Sequence, residues 1–317
     1  MHEAADSTGS GVGLLILRNS RSGTAVIRRD PADEFARRIP DAQVRTLQEG
    51  EDLGEVVAAS MTSDHPPAVL GIYGGDGSVA RMAELARRFA LPLLVLPGGT
   101  YNHFARSAGL DDVDAALDAF ESGRTVRVSA ISTACDGADP TLALNAVSVG
   151  SYPELIEERE RLRPRLGKWL GGILAAWRTM RTAEPLTIVV DGERARVWSV
   201  FVGIGRNDPE RVATMQRAEL TSAILDVRIH HARGSRVRAM AALAFGRRTT
   251  AVLRALGLMP PKQDVERLLV PAFEMLVRPD AGHSTVFVHD GELADPPGRA
   301  FTVRCTAVAD AVEVFAR

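Results

Sequence analysis

The chain predicts a layered α/β domain with a largely parallel sheet, followed by a β-rich antiparallel domain. Three observations carry this. Up to about residue 130, short apolar runs alternate with helix-compatible runs, the pattern of strands joined by helical crossovers. Beyond it, strand-like runs dominate, separated by Asp136-Gly137, Asp191-Gly192 and Asp290-Gly291, which are strong hairpin-turn dipeptides. Within the first part, two strand-like runs each end in clustered glycines, as expected where strands emerge at one edge of a parallel sheet.

The elements follow in order. Gly13 to Leu17 is a continuous apolar run, read as a buried strand. A helix near 31–38 comes next, then strand 43–47, helix 51–62, strand 68–73, helix 78–89, strand 92–96 and helix 111–121. In the second part the strand-like runs are 125–131, 141–149, 186–190, 197–204, 224–230, 273–278 and 284–289. Two helical inserts interrupt them. Residues 166–178 set Trp169, Leu170, Ile173 and Trp177 at helical spacing beside Lys168 and Arg178, and residues 236–257 set Val237, Met240 and Leu243 among several arginines. Such faces either pack on the β domain or lie in a membrane interface.

Composition excludes some classes. At 317 residues the chain can bury a substantial core, and 45% hydrophobic with 25% charged residues is ordinary for a globular protein. A net charge of −2 argues against a nucleic-acid partner held by overall charge. Cys135 and Cys305 cannot form a zinc site by themselves, and two free thiols in a reducing cytosol is the plainer reading. The first ten residues do not read as a signal peptide, and no run of about 20 apolar residues spans a membrane.

The chemistry concentrates in Gly71-Ile-Tyr-Gly-Gly-Asp-Gly-Ser78 and Leu96-Pro-Gly-Gly-Thr-Tyr-Asn102. Gly74, Gly75 and Gly77 let a ligand's phosphates approach the backbone N–H groups, and the following helix adds its opening amides and positive dipole end. Gly98, Gly99 and Thr100 repeat the device, and Ser78 and Thr100 add hydroxyls. A third strand end carries Asn19, Ser20, Ser22 and Gly23. Lysine usage removes familiar schemes. The two lysines are Lys168 and Lys262, and neither sits in a P-loop or a protein-kinase pattern.

These residues carry a family resemblance. Gly74-Gly-Asp-Gly-Ser78 resembles the Gly-Gly-Asp-Gly-Thr signature of the diacylglycerol kinase catalytic-domain family. Its superfamily also holds sphingosine kinases, bacterial lipid kinases and, more distantly, NAD kinases. Asn19-Ser-Arg-Ser-Gly23 resembles the family's Asn-Pro-x-Ser-Gly turn, and Pro97-Gly-Gly-Thr-Tyr-Asn-His-Phe-Ala-Arg106 its Pro-x-Gly-Thr-x-Asn-Asp-Phe-Ala stretch. Leu144 to Glu154 and Arg165 to Trp169 resemble the start of the second domain in bacterial members, and His289-Asp-Gly-Glu292 resembles its Asp-Gly-Glu. The resemblance implies a Rossmann-like, three-layer nucleotide-binding domain over 11–130 and a sandwich-like acceptor domain over 131–304. It also implies a C-terminal strand within 305–317 that returns to the first domain, and an active site in the cleft between domains.

The implied activity is ATP-dependent, Mg²⁺-assisted phosphorylation of a lipid hydroxyl, of a diacylglycerol-like or other long-chain lipid. Phosphoryl transfer needs cradled phosphates, neutralised charge and a deprotonated acceptor. The resemblance assigns the nucleotide to Asn19, Ser22, Gly23, Gly74, Gly75, Asp76, Gly77, Ser78, Gly99, Thr100 and Asn102. Asp76 would hold Mg²⁺ or its waters, while Asn102 would fix the second loop or meet the base. Asp290 becomes the general base, with Glu292 near metal or phosphate; taken alone, Asp290-Gly291 reads as a hairpin turn. His103, where the family favours aspartate, contacts phosphate or fills space. A lipid acceptor implies a cytoplasmic enzyme meeting the inner membrane face peripherally, and a homodimer is left open.

Departures are also legible. Ser129 stands where the family carries an aspartate, and Ser222-Ala-Ile-Leu-Asp226 replaces Asp-Gly-x-Leu-Asp. Losing two carboxylates weakens a cation site built from oxygen ligands. A catalytically impaired nucleotide- or lipid-binding member is therefore the alternative. A soluble-substrate kinase related to NAD kinase ranks third, because Asn145 is followed by Ala146 rather than glutamate.

Overall fold

A computed structural model describes residues 11–19, 31–99, 102–150, 185–206, 217–232, 265–278, 287–290, 292–294 and 300–317. Both helical inserts, at 166–178 and 236–257, lie outside these residues. The fold is mixed α/β, with a parallel core sheet and additional antiparallel strands. The chain divides into two compact units.

The first unit holds the chain up to Ala130, with Glu219–Ser222 and Ala309–Arg317. Strands β1 (Leu14–Asn19), β2 (Gln43–Leu47), β3 (Val69–Gly74) and β4 (Leu93–Pro97) alternate with helices α1 (Ala32–Arg38), α2 (Leu53–Met61) and α3 (Asp76–Phe89). Two further helices follow, α4 (His103–Ser107) and α5 (Val113–Glu121). The strands are parallel in the order β2-β1-β3-β4. Every residue of β3 and β4 is buried, which is why both read as unbroken apolar runs instead of alternating ones. Helix α3 buries Val79, Ala80, Met82, Ala83, Leu85 and Ala86, a stripe of helical period facing the core. Asp52 and Asp112 start α2 and α5 by accepting the amides of Glu55 and Ala115 at 3.0 and 2.8 Å. The end of the last strand, β15 (Phe301–Phe315), runs parallel to β4 with Val314 opposite Leu93.

The second unit is built from antiparallel strands. It takes β5 (Thr125–Cys135) from Ile131 onward, then β6 (Thr141–Ala143), β7 (Ala146–Gly150), β8 (Leu186–Val190), β9 (Glu193–Ile204) and β10 (Leu225–His231). Strands β11 (Val265–Val270), β12 (Ala272–Arg278), β13 (Phe287–His289), β14 (Glu292–Ala294) and the first part of β15 complete it. The ladder runs β14-β13-β7-β9-β8-β12-β15, and β10 pairs with β9 and β11. Val147, Val149, Val200, Val202, Val227, Met275, Phe287 and Phe301 share one apolar core. Asp191 and Gly192 turn β8 into β9 with φ of 51° and 84°, the left-handed pair that a two-residue hairpin demands.

Two of the boundaries that differ from the sequence reading bear on the site. The run 141–149 is two strands, broken at Leu144-Asn145, whose amides bond a side chain far along the chain. Helix α3 begins at Asp76 rather than residue 78, because Gly75 caps it in an extended conformation and an aspartate suits the first turn.

Buried polar groups sit on β9 to β11. Asp226 is fully buried and accepts both nitrogens of a bidentate Arg267 at 2.7 Å, with Arg228 at 3.1 Å. Burial pushes its carboxyl up, but the Arg267 hydrogen bond and the two guanidinium charges outweigh this and hold it below the usual range.

His230 is buried, with Nδ1 2.9 Å from the Ser199 hydroxyl. Burial, reinforced by the charges of Arg228 and His231, pulls its pKa from 6.5 down to about 4. The folded state therefore holds it neutral, and the unfolded chain binds more protons between those two values. Stability from this group is full above pH 6.5 and drains as pH falls through about 4. The expected loss is up to about 3 kcal/mol. Urea midpoints at pH 7 and 4.5 should show it, and His230→Gln should flatten the difference.

Candidate functional site

At the C-terminal edge of the parallel sheet, β1, β3 and β4 lie side by side. Leu17 pairs with Ile72, Arg18 with Tyr73, and Gly74 with Pro97. Asn19, Gly74 and Gly98 thus emerge together, where open α/β sheets hold ligands. The two glycine turns interlock. Gly98 N–H donates to Gly74 O at 3.0 Å, and a Cβ on Gly99 would overlap the Gly75 Cα. Only glycine permits this approach.

The first intrahelical bond of α3 runs from Val79 N–H to Gly75 O at 3.0 Å. The amides before it, within Asp76-Gly-Ser78, have no carbonyl inside the helix and aim along the sheet edge with the positive dipole end. Gly77 and Ser78 thus lie in the first helical turn, and the Ser78 side chain packs over Gly74.

The second loop is held by its own side chains. Asn102 is buried with φ +51°, and its carboxamide accepts from Gly99 N–H at 2.8 Å and donates to Gly99 O at 2.9 Å. That pair of bonds ties Asn102 back to Gly99. Asp76 ties the two loops together, its Oδ1 accepting the Phe104 amide at 3.2 Å. Thr100, Ser22 and Gly23 lie outside the described residues, and Asn19 is described as the last residue of β1 by its backbone.

Ser129, fully buried on β5, donates its hydroxyl to Thr221 O at 2.8 Å, and its amide bonds Leu220 O at 2.8 Å. The two places where serine stands for a family carboxylate are thus neighbours. A hydroxyl donor meets a backbone carbonyl there.

In the second unit, Asp290 follows β13 with φ +47°, and His289 pairs with Glu292 on β14. This is the hairpin turn that Asp-Gly predicts. It is also more. The carboxylate is buried and accepts three backbone amides, Leu144 on Oδ2 at 2.6 Å and Asn145 and Ala146 on Oδ1 at 2.7 and 3.1 Å. A carboxylate offers about four lone-pair positions. Among the described residues three are taken, which leaves Oδ2 one acceptor position. Burial pushes the carboxyl up, opposed without reversal by the His289 charge and the three amides. Glu292 is described as part of β14 by its backbone.

Sequence reasoning missed Arg217. It is buried in the second unit, and burial draws its pKa down to about 10. No periodicity or motif marks it; its burial alone reveals it.

Fold and site define a class, an α/β protein with an interlocked glycine edge on parallel strands and a buried carboxylate in a β-rich unit. Residues 13–133 match the diacylglycerol kinase catalytic domain. Over these residues, less than half of its length, the chain is similar to that catalytic-domain family. It is 36% identical over 107 residues to a "Probable lipid kinase YegS-like" of Pseudomonas fluorescens, and 36% over 101 residues to a namesake in Pseudomonas aeruginosa. Those matches cover 32% and 31% of this chain and 34% and 32% of the relatives. The chain thus spans about a third of the length of the curated relatives it matches.

The fold extends further than the sequence match. A crystal structure of a diacylglycerol kinase from Bacillus anthracis str. Sterne has a TM-score of 0.58 at 14% identity, covering 96% of each chain. An NAD kinase from Archaeoglobus fulgidus, solved with ATP, gives 0.50 at 14% identity over 95% of this chain and 93% of that one.

Proposed function

We propose that the protein is an ATP-dependent lipid kinase, transferring the γ-phosphate to a hydroxyl of a diacylglycerol-like or other long-chain lipid. The observation that carries this reading is the interlock of Gly74-Gly75 with Gly98-Gly99 beside the opening amides of α3. Such an edge, free of side chains and rich in aligned N–H groups, suits polyphosphate.

Residues fit a magnesium ion of the usual substrate-borne kind. Asp76 has one oxygen on Phe104 and a second left to it, and no cluster of three His, Cys, Asp or Glu occurs among the described residues. Mg²⁺ is commonly held by one or two carboxylates plus substrate phosphates and water. Bound there, it would neutralise phosphate charge.

In this reading the α3 amides and both glycine turns orient the triphosphate, and Asn102 holds Gly99 in place. The acceptor hydroxyl oxygen forms a bond to the γ-phosphorus while the bond from that phosphorus to the β,γ-bridging oxygen breaks, releasing ADP. Its proton passes to Asp290 Oδ2, the oxygen with an acceptor position left. A long-chain acceptor brings the enzyme to a membrane surface, at the cytoplasmic face. No helix among the described residues is long and apolar enough to cross a membrane.

The test is γ-labelled ATP or GTP with total lipid extract, products identified by mass. Label in an organic-phase product is expected with ATP. Nucleotide binding without any labelled lipid would favour the impaired reading, which serine at 129, bonded to Thr221 O, supports. Phosphorylation of NAD instead would move the protein to the soluble-substrate class.

A further inference from the structure

We infer that Asn145 and Ser148 are acceptor-specificity residues, whose side chains bind a second polar group on the lipid beside the hydroxyl that Asp290 serves. The inference deepens the kinase reading and rests on it. Three consecutive residues wrap the Asp290 carboxylate, and Asn145 is the middle one. Its amide donates to Oδ1 at 2.7 Å, between the Leu144 bond to Oδ2 and the Ala146 bond to Oδ1. Its carbonyl accepts the Ile204 amide at 3.1 Å, so its backbone is held from both sides. A carboxamide on a single methylene cannot reach far from a backbone so held.

Burial makes these two side chains informative. Asn145 is 5% exposed and Ser148 2%. Among the described residues, neither the Asn145 carboxamide nor the Ser148 hydroxyl has a hydrogen-bond partner, yet their polar atoms are not sealed from solvent. Other buried polar side chains are matched: Asn102 with Gly99, Ser129 with Thr221 O, and Ser199 with His230. A buried polar group without a partner costs stability, and an apolar side chain of the same size avoids that cost. A carboxamide and a hydroxyl kept together beside the base are matched by a ligand.

The strand gives the pair its surroundings. Val147 and Val149 belong to the apolar core, so alternation along β7 turns Ala146 and Ser148 to the other face of the sheet. Ser148 lies between Val288 on β13 and Phe201 on β9, both buried. Residues 144–148 thus offer a cradle for the carboxylate, a carboxamide and a hydroxyl, with apolar side chains on either flank. Carboxamide and hydroxyl both donate and accept. The matching lipid carries an ester, hydroxyl or similar group on the carbon next to its reacting hydroxyl, which a plain long-chain alcohol lacks. A site built to hydrogen-bond a substrate group rejects the analogue without it, because the site's own polar atoms are then left unpaired.

The experiment compares 1,2-dioleoylglycerol with oleyl alcohol in detergent micelles, using γ-labelled ATP with wild type, Asn145→Leu and Ser148→Ala. Wild type should favour the diester by about a hundredfold or more in kcat/KM. Asn145→Leu should bring that ratio close to one, and Ser148→Ala should reduce it about tenfold. Both variants keep the backbone amides on Asp290, so a change in the ratio reports contact with the acceptor. Wild-type ratios in both variants, or a wild type that labels both lipids equally, overturn the proposal.

Folding supplies an independent check. An apolar side chain in place of an unpartnered carboxamide should leave the urea midpoint unchanged or raise it. A lowered midpoint in Asn145→Leu would give the carboxamide a structural role and overturn its assignment, and Ser148→Ala, smaller by one oxygen, then decides for the hydroxyl. The two readings fail separately. If wild type labels neither lipid, calorimetry with dioctanoylglycerol and octanol reads the same preference. A binding preference that Asn145→Leu abolishes would keep the acceptor site and discard the kinase, whereas equal binding would discard both.

Discussion

Asp290→Asn is expected to lower phosphoryl transfer by about a hundredfold to ten-thousandfold, the usual worth of a positioned general base. The same change should cost about 3 kcal/mol or more of stability. The second effect is specific to this geometry. The carboxylate takes amides on both oxygens, Leu144 on one, Asn145 and Ala146 on the other. An asparagine keeps one oxygen and presents an NH₂ in place of the second. Either way round, a donor faces at least one buried donor. Charge-assisted bonds are each worth about 1.5–3 kcal/mol, so losing one or two matches the stated cost.

Lost activity in this variant is therefore ambiguous unless folding is followed in parallel. Urea midpoints should accompany single-turnover labelling at a temperature where the variant is fully folded. Labelling at the wild-type rate by folded Asp290→Asn would remove the base. A wild-type midpoint would remove the amide cradle.

The pH dependence gives a second signature with opposed signs. Burial raises the folded-state pKa of Asp290 above its unfolded value. In that window the folded state binds more protons, so stability is greatest below the unfolded pKa and falls as pH rises through the folded one. With Asp290 as the proposed base, transfer is expected to rise over the same window. His230 works the other way on stability, gaining as pH rises from about 4.

Much of this was legible in sequence, for a local reason. Strands β3 and β4 are buried on both faces and read as continuous apolar runs, and Asp191-Gly192 needs only its own left-handed backbone to make a hairpin. Helix α4, five residues long, was not predicted because it is too short to show a period. Strand β11 escaped as well, since its exposed Glu266 and Arg267 blur the apolar signal. The break at Leu144-Asn145 is of another kind. It depends on a carboxylate more than 140 residues away, and no local pattern encodes such a partner. Arg217 and the clasp of Ser129 on Thr221 are likewise products of tertiary contact. What sequence did mark was the residue types, Asp290 among them, in an order that one family shares.

Gly99→Ala is expected to cost about 3 kcal/mol of stability and to reduce nucleotide use at least about a hundredfold. The added methyl would overlap the Gly75 Cα and lie 3.0 Å from Asn102 Oδ1 and 3.2 Å from Gly75 N. Neither turn can step aside cheaply. Gly75 caps a 14-residue helix anchored by six buried side chains, and Gly99 is tied to both ends of the Asn102 carboxamide. Below them, Gly74 and Pro97 are paired in adjacent strands. Strain must therefore appear as a parting of the turns, which moves the α3 amides relative to the second loop. A displacement of about 1 Å in a phosphoryl-transfer site is enough for a hundredfold loss. Calorimetry with ATP and urea unfolding separate the two effects. Weakened binding with a lowered midpoint is expected, whereas wild-type ATP affinity in Gly99→Ala would place the donor somewhere other than these interlocked turns.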